Sequence, residues 1–201
     1  MTTAAATISE FLTAAAAKRP TPGGGSVTAL VGALAAAMGE MAVNYSLGRK
    51  GLEAHQPELA RSLAELERAR RVLVGLMVED QSAYEQVAAL RKAPATDPAK
   101  LAATVGAVRV PQAVGATALA VLGICERLAD KVNPWLRSDL MVCAELSVAV
   151  VRCAAINVRV NLPDLPDGKD RRDADAMVTR EVAQAVAIIR RLTARGPEAR
   201  P

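Results

Sequence analysis

Pro22-Gly23-Gly24-Gly25-Ser26 is the most informative short stretch of the chain. Three consecutive glycines permit backbone angles and close approaches that side chains forbid. Leading into a helix, such a run leaves first-turn amides open to an anion or to a polar ligand edge. The Gly-Lys-Ser/Thr ending of a phosphate-binding P-loop is missing, so the stretch reads as a plain turn or as a ligand-approaching loop of another kind. Downstream, polar residues recur at helical spacing inside apolar sequence: Glu40 with Asn44, Asp80 with Tyr84, and Asn157 with Asn161. Each pair is four apart and shares a helix face. Arg159 falls between the two asparagines, on another face. Asp139 stands in the first turn of an expected helix, where a carboxylate can simply favour the dipole. Singly, each is an ordinary structural or surface residue. Their number within apolar segments is the signal, because buried polar groups cost free energy unless partnered. The single histidine, His55, sits beside Pro57 in an expected surface loop and offers little for a histidine triad or a metal site. Acid–base work then falls to carboxylates, a tyrosine or a lysine.

The elements that must position these residues are all helical. Thr7-Ile8-Ser9-Glu10 has capping-box spacing and opens a short helix to about Lys18. After the glycine loop, Ser26 is the natural N-cap of a helix ending near Gly48. Pro57 suits the first turn of a third helix, to about Lys92. Asp97 and Pro98 begin the next, which Pro111 should kink or restart on the way to about Lys131. Asn133-Pro134 ends it, and Ser138 caps a long apolar helix to about Asn161. Pro163, Pro166 and Gly168 form a breaker cluster, followed by an amphipathic helix from Ala176 to Leu192. The expectation is an all-α antiparallel bundle of six or seven helices in a single domain spanning residues 1–201.

Composition agrees. Hydrophobic residues make up 51% of the 201, yet aromatics only 2%, so alanine, leucine and valine must carry the burial. Alanine favours helices, and small side chains favour close helix packing. The net charge of +4 is spread along the chain among acids, without the basic block and stacking aromatics of a nucleic-acid binder. Cys125, Cys143 and Cys153 are odd in number, lack paired spacing and read as three buried small residues in a reducing compartment. The start of the chain lacks a secretory pattern, and the apolar run Val27 to Gly39 falls short of the roughly 20 residues of a membrane span. A cytoplasmic protein with no membrane or nucleic-acid partner is expected.

In combination, several segments resemble the formiminotransferase-cyclodeaminase family. Lys18 to Ser26, Gly32-Ala33-Leu34 and Met41-Ala42-Val43-Asn44 are similar to its opening, and Gly48-Arg49-Lys50 to the basic turn that follows. Glu79 to Tyr84 resembles its Asp-x-x-Ala-Phe/Tyr segment. Ser138-Asp139 and Asn157 to Leu162 match its later motifs, so the likeness is strongest over residues 8–162.

The resemblance implies an all-helical homodimer with folate sites at or near the subunit interface, and no metal or added cofactor. It implies hydrolysis of 5,10-methenyltetrahydrofolate to 10-formyltetrahydrofolate, or closure of 5-formiminotetrahydrofolate with loss of ammonia. A folate-binding protein without catalysis on the same scaffold is a third reading. In the roles assigned on this basis, Asp80 and Asp139 stabilise a cation or take a proton from water, and Asn44 orients the water or pterin. Pro22, Gly23, Gly24, Gly25, Ser26, Tyr84, Asn157 and Asn161 bind substrate, and Lys50 or Arg159 meets the glutamate carboxylates. The chain departs from the family pattern at Glu40, Gly51-Leu52, Arg109 and Trp135, departures expected to alter the pocket.

Overall fold

Small residues on one helix set the architecture. Gly32 of α2 (Gly24–Asn44) lies so close to α3 (Gln56–Ala89) and α5 (Arg137–Asn161) that an added Cβ would come within 3.1 Å of Leu73 and 3.5 Å of Val150. Two turns on, Gly39 is equally close to Leu66 and Cys143. With Ala29, Ala33, Ala36 and Ala42 also buried, α2 sinks between its neighbours. The computed structural model describes residues 5–94, 96–165 and 168–194. Among them are α1 (Ile8–Ala16), α2 (Gly24–Asn44), α3 (Gln56–Ala89), α4 (Pro98–Leu128), α5 (Arg137–Asn161) and α6 (Gly168–Ala194), with no strand. Helices α2 to α5 form an up-and-down four-helix bundle, α6 packs outside against α5 and α4, and Phe11 ties α1 to the core.

Several expected boundaries hold. Thr7 and Glu10 form the reciprocal capping box of α1, and Asp97 caps α4 with Pro98 at its start. Four expectations are corrected. Helix α2 starts two residues before Ser26, with Gly23 at its N-cap; the Ser26 hydroxyl is committed elsewhere. Helix α5 starts at Arg137 after a 3-10 turn, Pro134–Leu136, in which the Asn133 side chain accepts from the Trp135 amide, so Ser138 is no cap. Helix α6 reaches back to Gly168 and not only to Ala176, its first turns being charged and without the apolar periodicity that marks the rest. Cys153 is exposed, whereas Cys125 and Cys143 are buried with their sulfurs 3.3 Å apart. This contact, and then burial, push the Cys125 thiol pKa well up. Pro166 lies outside the described residues.

Pro111 neither restarts nor ends α4, which is one helix from Pro98 to Leu128. Helices α2, α4 and α5 (the last with its flanking 3-10 turns) are, by length and composition, apolar enough to cross a membrane. About half of each apolar window is buried inside the bundle.

Candidate functional site

The chain enters α2 through a cis Thr21-Pro22 bond and an extended Gly23. Among the described residues no side chain caps this helix, which leaves its first-turn amides unclaimed by them. Asp80 reaches this turn from α3. Ser26, fully buried, donates its hydroxyl to Asp80 Oδ2 at 2.8 Å. A Cβ on Gly25 would overlap the same carboxylate. Glycine is therefore required at 25 by the closeness of an acid, a more specific reason than the freedom of a turn.

The two asparagines arrive from α5, and their amides are oriented by what they bond. Thr28 donates to the Gly24 carbonyl at 2.6 Å, so its oxygen accepts from Asn157 Nδ2 at 3.3 Å. Asn161 Nδ2 donates to the Ala107 carbonyl at 2.8 Å and to the Asn157 carbonyl at 3.1 Å. The Ala107 bond has a cause in the sequence. A proline has no N–H, so Pro111 leaves the carbonyl four residues before it without its helical partner, and Asn161 supplies the missing donor. With this bond in place, α4 runs unbroken through Pro111. With their NH₂ groups so employed, neither asparagine Oδ1 takes a bond from a described residue.

Asp80, Tyr84, Gly24, Asn157, Asn161 and Pro111 are among the walls of a cavity of about 340 Å³, within the roughly 300–1,000 Å³ common for small-molecule sites. It presents acceptors, namely one carboxylate and two amide oxygens, beside the open amides of α2. That set suits a ligand rich in N–H donors or carrying positive charge. A carboxylate so placed can stabilise a cation or accept a proton from water.

The structure brings together Gly23, Gly24, Gly25, Asp80, Tyr84, Asn157 and Asn161, with Ser26 buried just beneath and Pro22 in the adjoining loop. It does not bring in the others. Asn44 ends α2, roughly 30 Å from Gly24 at 1.5 Å rise per residue. Lys50 lies in the exposed turn between Gly48 and Gly51, both at positive φ, and Asp139 lies at the start of α5, at that same far end. Arg159 points away and binds α6, at 2.7 Å from Asp175 and 2.9 Å from Thr179. Thr28, Ala107 and Pro111 were missed. A mid-helix proline is itself a readable sign of an unpartnered carbonyl four residues earlier.

The model of the formiminotransferase-cyclodeaminase family matches residues 7–183. The chain belongs to this family. It is similar to the methenyltetrahydrofolate cyclohydrolase of Methylorubrum extorquens, with 34% identity over 169 residues that cover 80% of this chain and 81% of that protein. It is also similar to the formimidoyltransferase-cyclodeaminase of Gallus gallus, at 30% identity over 87% of this chain, although it spans only 34% of that longer relative. The crystal structure of the formiminotetrahydrofolate cyclodeaminase of Thermotoga maritima superposes with a TM-score of 0.90 at 31% identity, covering 94% of this chain and 95% of that one.

Within this formiminotransferase-cyclodeaminase member, the departures from the family pattern leave the cavity walls alone. Glu40 pairs with Arg70 at 2.7 Å and links α2 to α3 along the bundle. Arg109 is exposed, and Trp135 and Gly51 belong to the far end. None of the four lines the Asp80 cavity.

Proposed function

We propose that the chain hydrolyses 5,10-methenyltetrahydrofolate to 10-formyltetrahydrofolate. The observation that carries this reading is the Asp80 carboxylate, fixed by Ser26 inside a cavity of acceptors, in a chain of this family. The substrate's bridging carbon is cationic between two nitrogens. Asp80 opposes that charge and takes a proton from water as its oxygen adds to the carbon. The adduct then breaks its bond to N5, which takes up a proton as the hydroxyl gives one up. The formyl group stays on N10, and one proton passes to solvent overall. The Asn157 and Asn161 oxygens accept N–H groups of the pterin edge. Asp80→Asn preserves size and can still accept from Ser26, so it should lower turnover by about a hundredfold or more with Tm near wild type. Loss of the substrate's near-ultraviolet absorbance measures this, and turnover close to wild type would remove the carboxylate mechanism.

The likeness to the Thermotoga maritima cyclodeaminase favours a second reading on the same groups. There N10 attacks the formimino carbon, ammonia leaves, and the methenyl cation forms beside Asp80. Absorbance gain with ammonia release from 5-formiminotetrahydrofolate distinguishes the two.

The same reading includes a homodimer in the cytoplasm, acting on folate without added cofactor or metal and without nucleic-acid or membrane partners. Val142, Ala149, Ile156 and Val160 make an exposed apolar stripe along α5, with Ile156 and Val160 59% and 71% exposed. A two-fold axis is the commonest way to cover such a stripe. Sedimentation at micromolar concentration should show a dimer, and a stable monomer would overturn that part of the reading. The scattered, odd cysteines support a reducing compartment, and the interleaved charges argue against nucleic acid.

A further inference from the structure

A side-chain amide offers a carbonyl oxygen on one side and an NH₂ on the other, and a half-turn about its last bond exchanges them. In a cavity that reads N–H groups, that half-turn decides whether the amide attracts the ligand or repels it. The two asparagines of the Asp80 cavity are secured against it unequally. Asn161 Nδ2 has both hydrogens spent, on the Ala107 and Asn157 carbonyls. A turned Asn161 would set its oxygen against two carbonyl oxygens. Asn157 Nδ2 has one partner among the described residues, the Thr28 oxygen at 3.3 Å. Its polarity therefore hangs on Thr28. A hydroxyl has a single hydrogen that rotates freely, and so can ordinarily meet either end of an amide. Here the hydrogen is spent on the Gly24 carbonyl at 2.6 Å, and toward α5 the hydroxyl can only accept. The bond back to the preceding turn is common in this chain, since Thr104, Thr117 and Ser147 make it as well. What sets Thr28 apart from those three is the asparagine amide on its oxygen.

We infer that Thr28 is a positioning residue for substrate recognition: it holds Asn157 as a hydrogen-bond acceptor, so that the cavity takes a pterin N–H at this place. The inference rests on the folate reading above. Thr28 is buried, at 6% exposed, and is not itself a wall of the cavity. It acts through Asn157, whose oxygen lies against Gly24, 3.3 Å from where a Cβ on that residue would stand. Without the hydroxyl the Gly24 carbonyl still has its ordinary helical partner, the amide four residues on. The loss then falls on Asn157, whose NH₂ and oxygen become free to exchange places. Asn161 stays as it is, because both of its partners are backbone carbonyls. Removing one buried hydroxyl thus changes the polarity of one cavity wall while leaving the helix, the carboxylate and the second asparagine in place.

The test uses the full chain in wild type, Thr28→Val, Thr28→Ser, Asn157→Ala and the double variant Thr28→Val with Asn157→Ala. Thr117→Val, which removes the same backward bond from α4, is the control. The first readout is calorimetric binding of tetrahydrofolate, which requires no turnover. Thr28→Val keeps the shape of the side chain and loses the hydroxyl, so Kd should rise about three- to tenfold, the usual loss for one hydrogen bond. Thr28→Ser and Thr117→Val should bind as wild type does. In the Asn157→Ala background there is no amide to orient, so adding Thr28→Val should weaken binding no further. A merely structural Thr28 would weaken both backgrounds alike. The second readout is steady-state turnover of methenyltetrahydrofolate. KM should rise in Thr28→Val while kcat stays within about twofold, the pattern of lost uniform binding. Should Thr28→Val lose helix content, Thr28→Ala removes the same hydroxyl without a buried branch and takes its place. Wild-type affinity in Thr28→Val, a full further loss in the Asn157→Ala background, or failure of Thr28→Ser to bind overturns the positioning role. If the binding pattern holds but wild type converts no methenyltetrahydrofolate, the role of Thr28 stands and the hydrolase reading falls. If wild type converts it and KM is unchanged in Thr28→Val, the hydrolase reading stands and the role of Thr28 falls.

Discussion

At the C-terminal end of α2, Ser46 donates to the Ala42 carbonyl at 2.6 Å and accepts the Asn133 N–H at 2.8 Å. At the N-terminal end, Ser26 donates to a carboxylate that itself borders a cavity. The amides differ in the same way. Gln56 spends both ends, accepting from the Gly48 N–H and donating to the Ser46 and Leu52 carbonyls. Asn133 likewise accepts from Trp135 and donates to Tyr45. Among the described residues, Asn157 and Asn161 spend only their nitrogens, and their oxygens take no bond. Both ends bury polar groups among apolar helices, so burial by itself does not mark the site. What marks it is which atoms are left over once the structural bonds are made.

The sharpest way to break this contrast is at Gly25. Gly25→Ala places a methyl group on the Asp80 carboxylate, so turnover should drop about as far as when the base is removed, a hundredfold or more. Gly24→Ala meets only Asn157 Oδ1 at 3.3 Å and should cost clearly less. Helix content by circular dichroism should hold in both, and equal activities would return the loop to a plain turn.

A smaller effect is expected at Asn161. Asn161→Leu strands the part-buried Ala107 carbonyl, at a cost of about 1 kcal/mol. Pro111→Ala restores an N–H four residues on and should recover part of that loss. A denaturation double-mutant cycle reads the coupling, and strictly additive losses would sever the proposed link.

The smallest effect is expected at the far end. Asp139→Asn removes a first-turn charge and should cost under about 1 kcal/mol of stability, with turnover within about threefold of wild type. A hundredfold loss instead would mean that Asp139 serves the pocket of another copy, since within one chain it is a bundle length away.

The sequence made the helices legible because their signals are local. The capping box at Thr7 and the Asp97-Pro98 start are short-range chemistry, and both are present. The residues that share the candidate cavity were legible where spacing and context were sufficient, at the glycine loop, Asp80, Tyr84 and the asparagine pair. Asn44 and Asp139 share those qualities, yet spacing gives a face and says nothing about which end of a bundle that face occupies. Ser26 was assigned to the helix cap because its partner is 54 residues away. Cys153 was grouped with Cys143 although ten residues turn a helix by about 80° short of whole turns, which carries it to the surface.

Alanine, valine and glycine pack closely, but apolar contact carries no direction of its own. Pro111 supplies what such a contact lacks. By removing one N–H it makes a single α4 carbonyl unlike its neighbours, and Asn161 of α5 answers it. A slip of one residue, about 1.5 Å along the axis, would break that bond. The missing hydrogen works as a keyway that fixes the axial position of α5, and so carries Asn157, one turn away, to its place opposite the glycine loop.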